Sequence, residues 1–338
     1  MSDLSAGRPN APQPGKSRLR LTRKSIVGIL TVVGAGLAVA VVILSNRERP
    51  YDRAFDSRVA IPTYRSDGPV VLFDEGHRNA HTTASGYKPL ADLLRNDGYT
   101  VRTLQQPLTA AALEGVSVLV LALAQGSNDT NDDAAYSEAE AAVVETWVRG
   151  GGSLLLVTDH WPYGPAASSL ALHFGVATGN GLVQDPAHHD PDRGDSHLVF
   201  SVENQLLRDH PITRGRNPEE RLHRVLTFTG QSLRGPADAV PFLLLSDAAT
   251  ELPPGPARVE REGGDVRVNM EYGAPAAAAG RAQGLALEMQ AGRLVVLGEA
   301  GLLRAQRERN GQRVGMNVPG YDNRQLALNI LHWLSRAL

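Results

Sequence analysis

Ile26–Leu44 is a run of nineteen residues in which Thr31 is the only polar side chain. Such a run has no polar face, so it does not fit the half-buried surface helix of a globular domain. As a helix rising about 1.5 Å per residue it spans roughly 30 Å, the thickness of a bilayer's hydrocarbon core. It is also longer than the apolar stretch of a cleaved signal peptide. Ala38-Val39-Ala40 resembles a cleavage box but falls inside the run. The expectation is an uncleaved transmembrane helix over residues 25–45. Ahead of it, residues 1–24 carry Arg8, Lys16, Arg18, Arg20, Arg23 and Lys24 against Asp3 alone, a net charge of +5. This tail has no hydrophobic periodicity and reads as disordered. By the positive-inside rule it is cytoplasmic, and everything after about residue 46 lies beyond the inner membrane, in the periplasm.

The whole chain, 338 residues, has a net charge of −2, so the part beyond the membrane carries about −7. The near-neutral charge of the whole chain argues against a nucleic-acid partner. The chain has no cysteine. That excludes a disulfide framework, a thiolate metal site and a cysteine nucleophile. With 42% hydrophobic and 21% charged residues, the chain is not broadly disordered.

Residues 46–68 show no pattern and read as a linker. From Pro69 the chain alternates strands and helices. Val70–Phe73 is a short buried strand ending at Asp74. Residues 86–96 place Tyr87, Leu90, Leu93 and Leu94 at helical spacing, with Asp97-Gly98 as a stop. Tyr99–Leu104 alternates like a strand. Val116–Ala124 and Ser153–Thr158 are continuous apolar runs, the pattern of strands covered on both faces. Ser137 with Glu140 forms a capping box that opens a helix running to about Arg149. Ala166–Phe174 reads as another helix. Strands alternating with helices imply an α/β fold with a mostly parallel sheet and helices on both faces. Residues 176–280 differ: short β-like pieces (Leu198–Ser201, Val225–Thr229, Phe242–Leu245, Val266–Met270) between Pro/Gly-rich loops suggest a β-rich insertion. Gly284–Met289 and Arg293–Leu297 read as a hairpin, and Asn323–Arg336 as a closing amphipathic helix. The exterior domain thus spans 69–338.

In an open parallel sheet, ligands bind beyond the carboxyl ends of the strands. Three strand exits concentrate polar residues there. The first reads Asp74-Glu75-Gly76-His77-Arg78-Asn79-Ala80-His81, the second Asp159-His160-Trp161-Pro162, and the third Gly298-Glu299-Ala300-Gly301. If these exits share one rim, Asp74, Glu75, His77, Asn79, His81, Asp159, His160 and Glu299 form a ligand site. Carboxylates with imidazoles suit a divalent metal, with His77, His81, Asp159 and His160 as ligands and Glu75 or Glu299 as general base. They suit acid–base work equally well. The same residue types also cap turns and bind backbone, so a structural role stays open. Asn317 and Arg324, before and at the start of the last helix, are further candidates for this rim, while Asp322 or Asn323 suits its N-cap. His188 to His197 forms a dense His/Asp stretch that matches no zinc signature and reads either as a solvated loop or as a source of extra ligands to the same rim. His173, His210, His332 and Trp333 read as structural. No phosphate-binding glycine loop and no G-x-S-x-G elbow is present.

Taken together, "VVLFDEGHRNAH", "WVRGGGSLLLVTDHWP", "LVVLGEAGLLRAQ" and "GMNVPGYDNRQLALNILHWLS" resemble an uncharacterised bacterial domain family of the class I glutamine amidotransferase-like superfamily. Its relatives include accessory proteins of gliding-motility ABC transporters and ThuA-like proteins. The resemblance covers about residues 69–175 and 284–338. It implies a flavodoxin-like sheet. True amidotransferases of that superfamily carry a cysteine on a strand-to-helix elbow, with a later His and Glu. Here the elbow position, Val157–Trp161, reads Val-Thr-Asp-His-Trp, and no late His-x-Glu follows. Neither Asp nor His replaces a thiolate in that chemistry. The expected function is a binding or accessory module for a small polar or sugar-like ligand, or for an envelope or transport complex. The alternative is a metal-dependent periplasmic hydrolase.

Overall fold

The structure is a computed structural model that describes residues 25–34, 37–45, 51–127, 133–262, 265–308 and 310–338. The expected disordered tail, 1–24, lies outside the described residues. Strands β1 (Ser25–Gly34) and β2 (Leu37–Ser45) pair antiparallel, and β2 pairs in turn with the Asp265–Tyr272 strand. Strands thus stand where a helix was expected over 25–45. Among the described residues no helix is long and apolar enough to cross a membrane. The physical reason is composition: Ile26, Val27, Ile29, Val32, Val33, Val39, Val41, Val42 and Ile43 are β-branched, and such residues favour the pleated strand.

The central sheet follows the expected pattern. Strands β3 (Val70–Asp74), β4 (Thr100–Leu104), β5 (Val118–Ala122) and β6 (Ser153–Val157) run parallel in the order β4-β3-β5-β6. The Gly292–Leu297 strand adds to β6, also parallel. The Ala282–Met289 strand then returns antiparallel as the expected hairpin. Every residue of β5 and β6 is buried. Their side chains alternate between two cores. Val118, Val120, Leu155 and Val157 face one, and Leu119, Leu121, Leu154 and Leu156 face the other.

Helices cover both faces. On one lie α1 (Lys88–Asn96) and, across the sheet, the last helix; on the other lie α2 (Glu138–Arg149) and α3 (Pro165–His173). Leu90, Leu93 and Leu94 of α1 are fully buried, each side chain contributing roughly 1.5–3 kcal/mol. Gly98 turns the chain into β4 with φ +93°, a conformation that favours glycine. The Ser137–Glu140 capping box is present at α2, with Ser137 Oγ 2.7 Å from Glu140 Oε2. A short helix, α4 (Pro211–Arg214), precedes the closing helix α5 (Asn323–Leu334), ten of whose twelve residues are buried.

The region 176–280 is rich in short strands. Gly194–Ser201 pairs with Arg224–Leu226, and Val240–Leu244 extends the central sheet along Ala282–Met289. The side chains of α5 hold this region. Asp322 Oδ2 accepts the amides of His223 (2.7 Å) and Arg224 (2.9 Å). Asn323, fully buried, accepts from Leu226 N at 3.0 Å and donates to Leu226 O at 2.7 Å. Asp322 therefore stands at the N-cap position without making a side-chain cap bond, a correction to its expected role.

Candidate functional site

The three strand exits do lie at the carboxyl ends of parallel neighbours, but they do not form one open rim. They separate into two clusters, because the exit of β5 runs between them. Ala80 N donates to Leu123 O (3.1 Å) and Gln125 N to His77 O (3.0 Å), while Leu123 N donates to Val157 O (3.0 Å). Buried Ala122, Leu123 and Ala124 fill that space.

The first cluster is centred on Asp74. Its buried carboxylate accepts from Gly76 N (3.1 Å), His77 Nδ1 (2.9 Å), Asn79 Nδ2 (3.2 Å) and the Tyr136 hydroxyl (3.2 Å). Asn79 Nδ2 also donates to Ala122 O at 2.9 Å. The other ring nitrogen of His77, Nε2, lies 3.0 Å from Glu140 Oε1. Glu140 closes the α2 capping box and accepts Leu108 N as well. Burial works against the charged imidazole, but the carboxylates of Asp74 and Glu140 outweigh it, and the His77 pKa is raised. An imidazole donating from both nitrogens keeps no lone pair for a metal. Glu75, expected as a general base, accepts both the amide (2.7 Å) and hydroxyl (2.8 Å) of Thr83. His81 is buried, its ring 5.2 Å from that of Tyr87, and Gly86 packs directly on it.

The second cluster joins Asp159, His160 and Glu299. Asp159 accepts from His160 N (2.8 Å) and Ala300 N (3.2 Å), tying β6 to the neighbouring strand exit. His160 is buried, with Nδ1 3.4 Å from the Tyr272 hydroxyl. Glu299 is fully buried and accepts the amides of Gly301 (2.5 Å), Leu302 (2.8 Å) and Phe228. Burial, and then the nearby Asp159 carboxylate, push the Glu299 carboxyl well above its ordinary range. The Tyr87 hydroxyl donates to Ala300 O at 3.1 Å.

Residues of the 176–280 region cap this second cluster. Gln231, fully buried, donates to Thr158 Oγ1 (2.7 Å) and accepts Asn180 N (2.7 Å), and its own amide donates to Gly298 O (2.8 Å). Gly230 lies against Glu299. Gly230 and Gln231 thus pack over the exits of β6 and of the Gly292–Leu297 strand. Among the described residues no three His, Asp or Glu side chains converge as a metal site. The quartet His77, His81, Asp159 and His160 is divided between the two clusters.

Asn317 and Arg324, expected on the same rim, line a separate open cavity of about 470 Å³ with Asp52, Asp56, Arg58 and Arg313. None of the strand-exit residues lines it. The stretch from His188 to His197 makes contacts within the protein. Buried Asp185 accepts the amides of Ala187 and His188, Asp190 accepts the Tyr321 hydroxyl (2.7 Å), and His197 packs 5.9 Å from the Phe228 ring. His173 pairs with Glu145, His210 caps α4, and His332 binds Asp97 at 2.6 Å, as structural histidines do. Sequence reasoning missed the site roles of Glu140, Phe228, Gln231, Arg58 and Arg313. Glu140 carried a signal, its capping box, but only for a helix start. The others had none, since their partners are distant in sequence.

No protein-family model and no curated protein matches the sequence. Solved structures do. The mmIFT52 N-terminal domain superposes with a TM-score of 0.54 at 15% identity, covering 78% of this chain and 97% of that one. The likeness is one of fold. A protein described as ThuA-like from Parabacteroides merdae matches with a TM-score of 0.42 at 12% identity, covering 80% of this chain and 91% of its own. One from Bacteroides uniformis matches with 0.40 at 11%, covering 84% and 95%.

Proposed function

We propose that this chain is a membrane-tethered, extracytoplasmic protein of the amidotransferase-like superfamily that binds rather than hydrolyses. Its occupant is a small polar molecule or an envelope or transport partner. The observation that carries this reading is the state of the Asp159–Glu299 cluster. The chain has no cysteine, the carboxylate at the β6 exit is engaged by backbone amides, and residues 228–231 cover the place a substrate would take. A pocket can persist in a fold after its chemistry is lost, and function then resides in a different site.

The tether is supported by the nineteen-residue apolar run and the basic cluster ahead of it. In water the run meets its backbone hydrogen bonds through strand pairing, as β1 and β2 do. In hydrocarbon an open sheet edge is not tolerated, and a helix satisfies every backbone group internally.

The test is expression of the full chain in bacterial cells, followed by fractionation and an alkaline carbonate wash of the membranes. The reading expects the chain to stay in the washed membrane and to be digested by protease added to spheroplasts, and the purified protein to release no ammonia from glutamine. Recovery in the soluble fraction overturns the tether, and glutamine hydrolysis overturns the binding role.

A further inference from the structure

The cavity of about 470 Å³ forms where residues 52–58 cross the first turn of α5 and the loop around Asn317. Its size is that of a pocket for a small molecule. Its charges are unevenly matched. Both carboxylates are engaged. Asp52 accepts Asn317 Nδ2 (2.9 Å) and Ala54 N (3.1 Å). Asp56 holds Arg58 through two bonds, Nε to Oδ1 at 2.9 Å and Nη2 to Oδ2 at 2.7 Å.

The other two arginines are differently placed. Arg324 Nη2 donates to the Arg58 carbonyl at 2.6 Å, and Arg313 Nη1 reaches the Asn317 carbonyl at 3.4 Å. Asp56 and Asp97 favour the charge of Arg324, and Asp52 and Arg313 favour each other's charge, but each guanidinium's hydrogen bond goes to a carbonyl. Arg324 is partly buried, and burial lowers its pKa more than the Asp56 and Asp97 carboxylates raise it. Arg324 lies in the first turn of α5, where the helix dipole adds positive potential that the Asp322 carboxylate at the N-cap partly offsets. A planar guanidinium offers paired N–H donors that match the oxygens of a carboxylate or phosphate.

We propose that this cavity binds the oxyanion group, carboxylate or phosphate, of a small polar molecule between Arg313 and Arg324. The inference rests on the reading of the chain as a binding module and names the chemistry of its ligand.

The experiment is calorimetric titration of the full chain in detergent micelles with three probes: inorganic phosphate, glucuronate and glucose. Each is run with the unaltered chain, with R313Q, with R324Q, and with R102Q, which removes an exposed arginine of β4 remote from the cavity. The expected result is binding of phosphate or glucuronate, with which of the two identifying the source of the oxyanion. That binding weakens about tenfold in R313Q and R324Q, weakens with added salt, and is unchanged in R102Q. Arg313 is exposed, so R313Q reads the site even if R324Q does not fold. Failure of both anions to bind, or binding that neither cavity variant alters, overturns the proposal. Binding of glucose alone overturns the oxyanion and leaves the binding-module reading standing, which fractionation and the glutamine assay test separately.

Discussion

Gly230 approaches Glu299 so closely that a β-carbon on Gly230 would stand 2.8 Å from Glu299 Cβ. Gly230 also has φ +122°, outside the range side-chain-bearing residues readily adopt. The contact joins the β-rich region to the exit of the last parallel strand. Gly230→Ala therefore meets a steric clash and a backbone penalty together, and is expected to lower stability by at least about 2 kcal/mol. Urea unfolding of the two proteins measures it. An unchanged midpoint would mean that the region does not sit on Glu299.

His77 between Asp74 and Glu140 gives stability a defined pH dependence. Its folded pKa is raised above 6.5, so the stabilisation is complete below about pH 6.5 and is lost as pH rises through the folded value. Glu140 has a lowered folded pKa, so its contribution is present above about 4.5 and is lost as pH falls. Melting temperatures of the unaltered chain should fall from about pH 6.5 upward, and His77→Gln should flatten that limb. Parallel curves for the two proteins would count against the paired imidazolium.

Gln231 makes its two side-chain bonds in a fully buried setting. Gln231→Leu leaves the Asn180 amide without its acceptor and removes a donor from Thr158 Oγ1. The expected cost is about 1–3 kcal/mol, read as a shift in denaturation midpoint. A neutral outcome would place Gln231 in contact with solvent.

Chelation tests the metal alternative. Because both nitrogens of His77 face carboxylates and Asp159 is engaged by amides, EDTA is expected to leave the melting temperature of the full chain unchanged. A drop on chelation, abolished in His160→Ala, would restore a metal site at the second cluster.

The parallel sheet was legible because β5 and β6 are covered on both faces, and that requirement writes itself as unbroken apolar runs. The α2 start was legible because Ser137 and Glu140 are local partners. The closure of the second cluster was not. Phe228, Gly230 and Gln231 reach Glu299 and Thr158 across about 70 residues of chain, and nothing in their own neighbourhood marks the contact. The strand exits are ambiguous for a related reason. Asp and His at such a place serve catalysis or tie backbone amides with the same side chains, and only their partners distinguish the two. The run 26–44 carried two signals at once, length for a membrane helix and β-branching for a strand pair.

Hydrogen exchange at the amides of Gly301 and Leu302, both donors to Glu299, tests the closed strand exit most directly. The account predicts protection in the full chain comparable to that of Leu155 in the centre of β6, because the acceptor is buried beneath residues 228–231. Rapid exchange at those two amides, at the rate of an exposed loop, would contradict it and reopen the exit as a ligand site.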